Sequence, residues 1–490
     1  MIAYENTKTI SDLVKQAGEI HGDRVFLRYE KDDVVKDVTF QQFSKSCGAI
    51  AGWAQQEDDK LEHKIRVGVL GGSSYPYLTV LFGVMSNGNV VVPLDVQLNM
   101  NSLSECVNRA DLDYLFYDWE HFELVEGAKD FCPNLKGTIC LQNRKHVDCV
   151  QNIWKENAQF EIGKEIEPKE CAMLLFTSGT TGKGKGVLLS HENLIDNVFC
   201  TNDEGHPENE VYMNVLPVHH IFCLNGDFLL ALRYGNVLCL NQDMTKLAAH
   251  IQLFQPTVIR MVPMMAKTLY NRIAVLQQQY KEKSIDEIKG MVLGKRLHKI
   301  VSGGGYLAPE LAKCYGDIGI SIAQGYGMSE CSPKISSPDW NRPDKVSSVG
   351  KVVDRCQVRI VDGEIQVKSP SVMMGYYKDP EETKKTITED GWLRTGDLGY
   401  VDEEGFLFFT GRCKNLIILS NGENVAPEQL ENLFVDETLI EDILVYGEDD
   451  KICAEVYPNF QLAEAMEIED LEGAISEIIM KHNQELPTYK

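Results

Sequence analysis

Apolar residues recur at Phe40, Phe43, Cys47 and Ile50, about one helical turn apart, which predicts a helix over 40–53. The run KIRVGVLG at 64–71 then reads as a strand, 76–85 as a mainly apolar helix, and 90–93 as a short buried strand. Alternating strands and helices predict a layered α/β domain. CAMLLF at 171–176 is apolar without alternation, which predicts a strand covered on both faces inside a sheet. A glycine-rich segment follows, then a second short strand over 186–189. Ser190 is placed to cap a helix through Asn193, Leu194 and Val198.

The pattern repeats further along. LHKIVSGGG, from Leu297, is a strand running into glycines; 307–315 is helical, opened near Pro309; 318–323 is a strand that ends at GYGMSE. After Ser347 the texture changes to short β-like runs with frequent turns, and Asp362-Gly363 is a hairpin signal. A small β-rich subdomain is expected at about 326–411. Beyond Arg412, an apolar run at 416–419, a turn and helix in SNGENVAPEQLENLF, and strands at 443–447 and 451–458 predict a small α+β domain over 412–490. The acidic run EIEDLE at 467–472 is expected to be a solvated helix start.

The length of 490 residues exceeds one ordinary core and implies several folding units. A formal charge of -25 disfavours nucleic acid and anionic membrane as partners, so any anionic ligand needs a local device to hold it. The polar start is not expected to act as a signal peptide, and no apolar run approaches a membrane span, so a cytoplasmic location is expected. The cysteines have neither CxxC nor zinc spacing and read as free thiols in a reducing compartment.

FTSGTTGKGKGV at 176–187 is the local device that this charge calls for. Residues 179–185 fit the first seven places of GxxxxGK[ST], but Gly186 stands where the Mg2+-binding hydroxyl belongs, and GVLLS reads as a strand where that pattern needs a helix. A P-loop NTPase is therefore rejected. Phosphate binding remains: glycines let successive N–H groups converge, Thr177, Ser178, Thr180 and Thr181 add hydroxyls, and Lys183 and Lys185 add charge. A flexible surface loop is the competing reading.

The same stretch resembles the signature of acyl-adenylate-forming enzymes, the superfamily of acyl-CoA synthetases, free-standing adenylation domains and luciferases; Gly184 stands where proline is usual. LPVHH at 216–220, GGGYLAPEL at 303–311, GYGMSE at 325–330, GWLRTGDLG at 391–399 and GRCKNLIILSNGENVAPEQLE at 411–431 resemble further family blocks in the right order. The resemblance is nearest to fatty acyl-CoA synthetases and covers nearly the whole chain. It implies a large N-terminal AMP-binding domain over 1–411 and a small, mobile C-terminal domain over 412–490.

The resemblance also implies roles. Thr177, Ser178, Gly179, Thr180, Thr181, Gly182, Lys183 and Lys185 would cradle the ATP phosphates. Gly303, Gly304 and Gly305 would bring backbone close to the acyl-adenylate, with Tyr326 beside adenine (its alternative is a core aromatic), followed by Gly327. Ser329 stands at the usual threonine and keeps the hydroxyl; Glu330 resembles the Mg2+-binding glutamate. Asp397 would accept both ribose hydroxyls. Arg412 lies near ribose and phosphate, and Lys414 at the hinge, where an ordinary surface lysine is the alternative. His220 and Phe222 fall at the acyl entrance, and Gly422, Glu423, Asn424 and Pro427 on the thiol side. Lys185, His220 and Arg412 are the residues expected to take part in catalysis. His219 has no assigned role.

The implied reaction has two steps. A carboxylate attacks the ATP α-phosphorus to give acyl-AMP and pyrophosphate, with Mg2+ and the cationic loop offsetting charge; a thiol then displaces AMP. The acceptor is CoA or, as the alternative, a carrier-protein phosphopantetheine arm. A non-catalytic nucleotide-binding scaffold is the reading of a different class. Phe222 stands where amino-acid-activating relatives place an aspartate, so a fatty or aromatic acid is expected in place of an α-amino acid. The family's C-terminal lysine block is not found: LPTYK at 486–490 resembles the block that precedes it. The C-terminal domain is accordingly expected to be incomplete in this chain, with slow acyl-AMP formation and retained nucleotide binding.

Overall fold

The structure is a computed structural model of the 490-residue chain; it describes all residues except 1, 178–183, 201–208, 420–423, 436, 449–450, 485 and 487–490. Two seven-stranded sheets carry the larger part. In the first, the strands Ser321–Gln324, Lys299–Ser302, Val258–Met261, Val211–Asn214, Val237–Leu240 and Val25–Lys31 run parallel, and Val34–Thr39 closes the edge as an antiparallel hairpin. In the second, Cys171–Thr177, Val90–Leu94, Arg66–Leu70, Tyr114–Tyr117 and Gly137–Cys140 are parallel. Lys185–Ser190 and Gly375–Tyr376 extend its edge in antiparallel fashion.

The apolar pattern explains this layering. Ala172, Met173, Leu174 and Leu175 are all buried, as an interior strand without alternation requires. The helix expected over 40–53 runs Phe40–Leu61: Thr39 and Gln42 form a capping box, and the solvated tail adds two turns with few apolar residues to signal them. Ser190 caps His191–Phe199 through Asn193. The helix Pro309–Asp317 starts at Pro309, two positions later than the spacing predicts, because the proline ring keeps the preceding Ala308 in the extended region.

The region 326–411 is β-rich but not a separate layer throughout. Gln357–Val361, Glu364–Lys368, Leu393–Val401 and Leu407–Arg412 form an antiparallel sheet, with the Asp362-Gly363 turn at positive φ in both residues. Gly375–Tyr376, however, joins the second large sheet, and Pro380–Thr386 is a helix. After the turn Cys413–Asn415 come the hairpins Ile417–Ile418 with Asn424–Val425 and Ile440–Glu448 with Lys451–Pro458, and the helices Pro427–Glu431, Phe460–Ala465 and Leu471–Asn483. Most of the acidic run precedes its helix, with Asp470 as the cap. Each of the fourteen cysteines is a free thiol. Among the described residues, no helix is long and apolar enough to cross a membrane.

Candidate active site

The parallel strand Lys299–Ser302 delivers its C-terminal end to Gly303, Gly304 and Gly305. A Cβ on Gly303 would lie 3.0 Å from the Phe222 ring, and Gly304 sits at φ +76°, so bare backbone is required here. The neighbouring strand Ser321–Gln324 leads into Tyr326. Its hydroxyl donates to Asp397 Oδ2 at 2.6 Å, and Arg412 Nε lies 3.3 Å from Asp397 Oδ1. Asp397 and Arg412 are opposed in register across Leu393–Val401 and Leu407–Arg412, which is why residues fifteen apart meet. Asp397 is only 7% exposed. Burial raises its pKa, opposed by the Tyr326 hydrogen bond and the Arg412 charge. One donor on each carboxylate oxygen leaves capacity for further donors.

A second chain of contacts runs from the turn Ser329–Cys331. Glu330, 8% exposed, accepts a 2.8 Å hydrogen bond on Oε1 from the Tyr376 hydroxyl. Lys185 Nζ lies 4.9 Å from the centre of the Tyr376 ring and 2.5 Å from Glu382 Oε1. Lys185 is thus committed to a carboxylate at the foot of the glycine-rich loop, and this ion pair holds the Glu382 pKa down. Thr177 and Lys185 face each other in register at the base of that loop. Ser178, Gly179, Thr180, Thr181, Gly182 and Lys183 lie outside the described residues. Gly184 is explained: its carbonyl accepts from Arg109 Nη2 at 2.6 Å, and a Cβ there would lie 2.6 Å from Thr177 O.

The His219 and His220 ring centres lie 4.3 Å apart, the rings tilted by 50°, and His219 Nε2 lies 3.8 Å from Asp95. Burial and the neighbouring His220 push the His219 pKa down to about 4, and burial lowers His220 too, so both imidazoles are neutral near pH 7. Of the apolar residues after them, Ile221, Cys223 and Leu224 are buried core, and the half-buried Phe222 alone faces Gly303. Lys414 is exposed in the turn Cys413–Asn415. Gly422 and Glu423 lie outside the described residues, Asn424 begins a short strand, and Pro427 is buried in the first turn of its helix.

Sequence reasoning passes over three features. Leu224–Leu229 is π-helical within 221–234, and its Asp227 carboxylate is fully buried, 3.1 Å from Arg260 Nη1. Burial raises the Asp227 pKa to about 6 against the pull of Arg260. The third is the Glu382 partner of Lys185, 197 residues away. A lone acid inside an apolar helix was the visible signal for Asp227; nothing local marks Glu382.

The glycines at 303–305 follow the end of a parallel strand, and Tyr326, Asp397 and Arg412 form one cluster. The AMP-binding enzyme family model matches residues 14–377, and the AMP-binding enzyme C-terminal domain matches 414–490, so the chain belongs to the AMP-binding enzyme family. It is 25% identical to "Long-chain-fatty-acid--CoA ligase 6" of Mus musculus, over 98% of this chain and 78% of that protein. It is 32% identical to "4-coumarate--CoA ligase 2" of Oryza sativa subsp. japonica, over 64% and 57%. In fold it is similar to the anthranilate CoA ligase AuaEII in complex with anthranoyl-AMP, with a TM-score of 0.83 and 18% identity over 100% and 93% of the two chains.

Proposed function

We propose that this protein is an AMP-forming acid–CoA ligase that activates a fatty or aromatic carboxylic acid. The observation that carries the reading is the Tyr326–Asp397–Arg412 cluster beside the Gly303–Gly305 cradle. Asp397 holds the ribose hydroxyls, with Tyr326 fixing the orientation of its carboxylate and facing the adenine. The glycine backbone lets the acyl-phosphate approach. The acid's oxygen attacks the α-phosphorus, the bond to the bridging oxygen breaks, and pyrophosphate leaves, its charge offset by the glycine-rich loop. Lys185 stands at the foot of that loop, held by Glu382. The neutral His220 can hydrogen-bond at the acyl entrance without adding charge. Arg412 and Lys414 mark the place where the C-terminal residues turn to present the thiol side.

Glu330 fits a magnesium ion by its chemistry: it is a single buried carboxylate linked through Tyr376 to Lys185, and Mg2+ bound with nucleotide takes few protein ligands. No cluster of three or more His, Cys, Asp or Glu suited to a metal occurs among the described residues, which fits an ion that arrives with ATP. When bound, such an ion supplies charge neutralisation for the phosphates.

CoA is the favoured acceptor, because the relatives named above are CoA ligases. A carrier-protein phosphopantetheine is the second acceptor with the same thiol. The test is product analysis with ATP, an acid and CoA. The reading requires acyl-CoA and AMP in equal amounts; ADP as the nucleotide product, or no thioester with any acid, contradicts it.

A further inference from the structure

Lys334 opens the strand Lys334–Ser337, four positions beyond Glu330 and opposite Gly327 in register. Its backbone is clamped: Lys334 N donates to Asn197 Oδ1 at 3.1 Å, and its carbonyl accepts from Asn197 Nδ2 at 3.0 Å. Its Nζ is out of solvent and has no hydrogen-bond partner among the described residues. An isolated buried ammonium is strongly unfavourable, and an aliphatic side chain would serve packing better.

The charges around it do not supply a partner. Arg260 is balanced by Asp227 at 3.1 Å. Asp196 is occupied by Arg355 Nε at 2.6 Å and Ser371 Oγ at 2.6 Å. Burial lowers the Lys334 pKa; Cys200 and Asp196 oppose this, while Arg260 and Arg233 add to it. The nearby cations Arg260 and Arg233 make these surroundings favourable to an incoming anion.

The Lys334 strand is tied to the segment that carries Phe222. Asn225 Nδ2 donates to Ser332 O at 2.9 Å, tying the helical segment 221–234 to the approach of the Lys334 strand. A Cβ on the next residue, Gly226, would lie 2.7 Å from Arg260 Cδ and 3.8 Å from the Phe222 ring. Phe222 in turn covers Gly303. Phe222 and Gly226 thus lie in contact sequence between the glycine cradle and Arg260, one of the cations near Lys334.

We propose that Lys334 is a specificity residue of the acyl site, and that the acid activated here carries a second carboxylate, remote from the reacting one, which Lys334 receives. This rests on the ligase reading above. A distal carboxylate would pair with the ammonium through a charge-assisted hydrogen bond and remove the unpaired buried charge. A plain monocarboxylic acid would leave it unpaired. No bond is made or broken at Lys334; it selects and orients the substrate.

The experiment compares matched probes, butanoate with butanedioate and octanoate with octanedioate, by kcat/KM in AMP-forming turnover. The full chain is compared with Lys334→Met. The expected result is a preference for diacids in the unchanged protein and a fall in the diacid-to-monoacid ratio of about 10- to 100-fold in the variant. Its Tm should rise, because an unpaired buried charge is removed, and a diacid should raise the Tm of the unchanged protein more than that of the variant. A preference for monoacids, or an equal loss for both acids in Lys334→Met, overturns the inference and leaves the ligase reading standing. Turnover with no acid at all, while ATP still binds, overturns the ligase reading and the inference with it. If Lys334→Met does not fold, the diacid preference and diacid-induced Tm shift of the unchanged protein decide alone, and absence of either overturns the inference.

Discussion

At the scale of single residues, the site rests on Asp397. Its carboxylate is buried, so each hydrogen bond to it is worth more than one at the surface. Asp397→Ala should lower kcat/KM for ATP by about 100-fold, and Tyr326→Phe by about tenfold, with smaller effects on the acid. Steady-state kinetics with each substrate varied in turn checks both. His191 gives a pH prediction. It is buried, its Nδ1 accepts from Ile10 N–H at 3.3 Å, and burial holds its pKa at about 4. The unfolded chain takes up this proton near the ordinary histidine pKa and the folded one only near 4. Between those values the unfolded state binds more protons, so this contribution to stability is full above about pH 6.5 and is lost as pH falls toward 4. Thermal melts across that range should show a shallower acid slope for His191→Gln than for the unchanged protein. Most of these residues were legible as motif positions, Asp397 and Tyr326 by their resemblance. His191 and Lys334 were not, because burial, which gives them their character, has no local signature.

At the scale of elements, glycines decide which backbones approach. Gly184 stands where the family's loop usually has proline, and the reason is steric: a Cβ would press on Thr177 O at 2.6 Å while Arg109 holds the Gly184 carbonyl. Gly184→Ala should destabilise the hairpin by about 1–3 kcal/mol and raise the KM for ATP, read by thermal melts and kinetics. Gly303→Ala would push on Phe222 and should raise the KM for the acid more than that for ATP. The strands and capped helices around these positions were legible, since an unbroken apolar run and a Ser-x-x-Asn cap are local signals. The placement of Gly375–Tyr376 on the second sheet was not, because a two-residue edge strand is chosen by the Leu188 and Val187 backbone it meets and not by its own sequence. The π-helical turn at Leu224–Leu229 was hidden for a similar reason: its composition is that of any buried helix.

At the scale of the whole molecule, a chain of charge -25 brings its anionic substrate to a few local cations. Lys185 at the loop base meets Tyr376, Tyr376 donates to Glu330, and Tyr326, four positions before Glu330, donates to Asp397. The layered architecture and the order of the blocks could be read from the chain. The links between distant segments could not: Lys185 with Glu382 and Arg260 with Asp227 join residues that only the completed fold brings near. Arg412 lies beside both Asp397 and the turn that leads to the C-terminal residues. The most direct measurement of the central claim is acid-dependent exchange of labelled pyrophosphate into ATP, run on the unchanged protein and on Asp397→Ala. The account predicts exchange that is slow, as expected of a chain without the C-terminal lysine block, requires a carboxylic acid, needs no CoA, and falls by about 100-fold in the variant. ATP binding without exchange for any fatty, aromatic or dicarboxylic acid would contradict it.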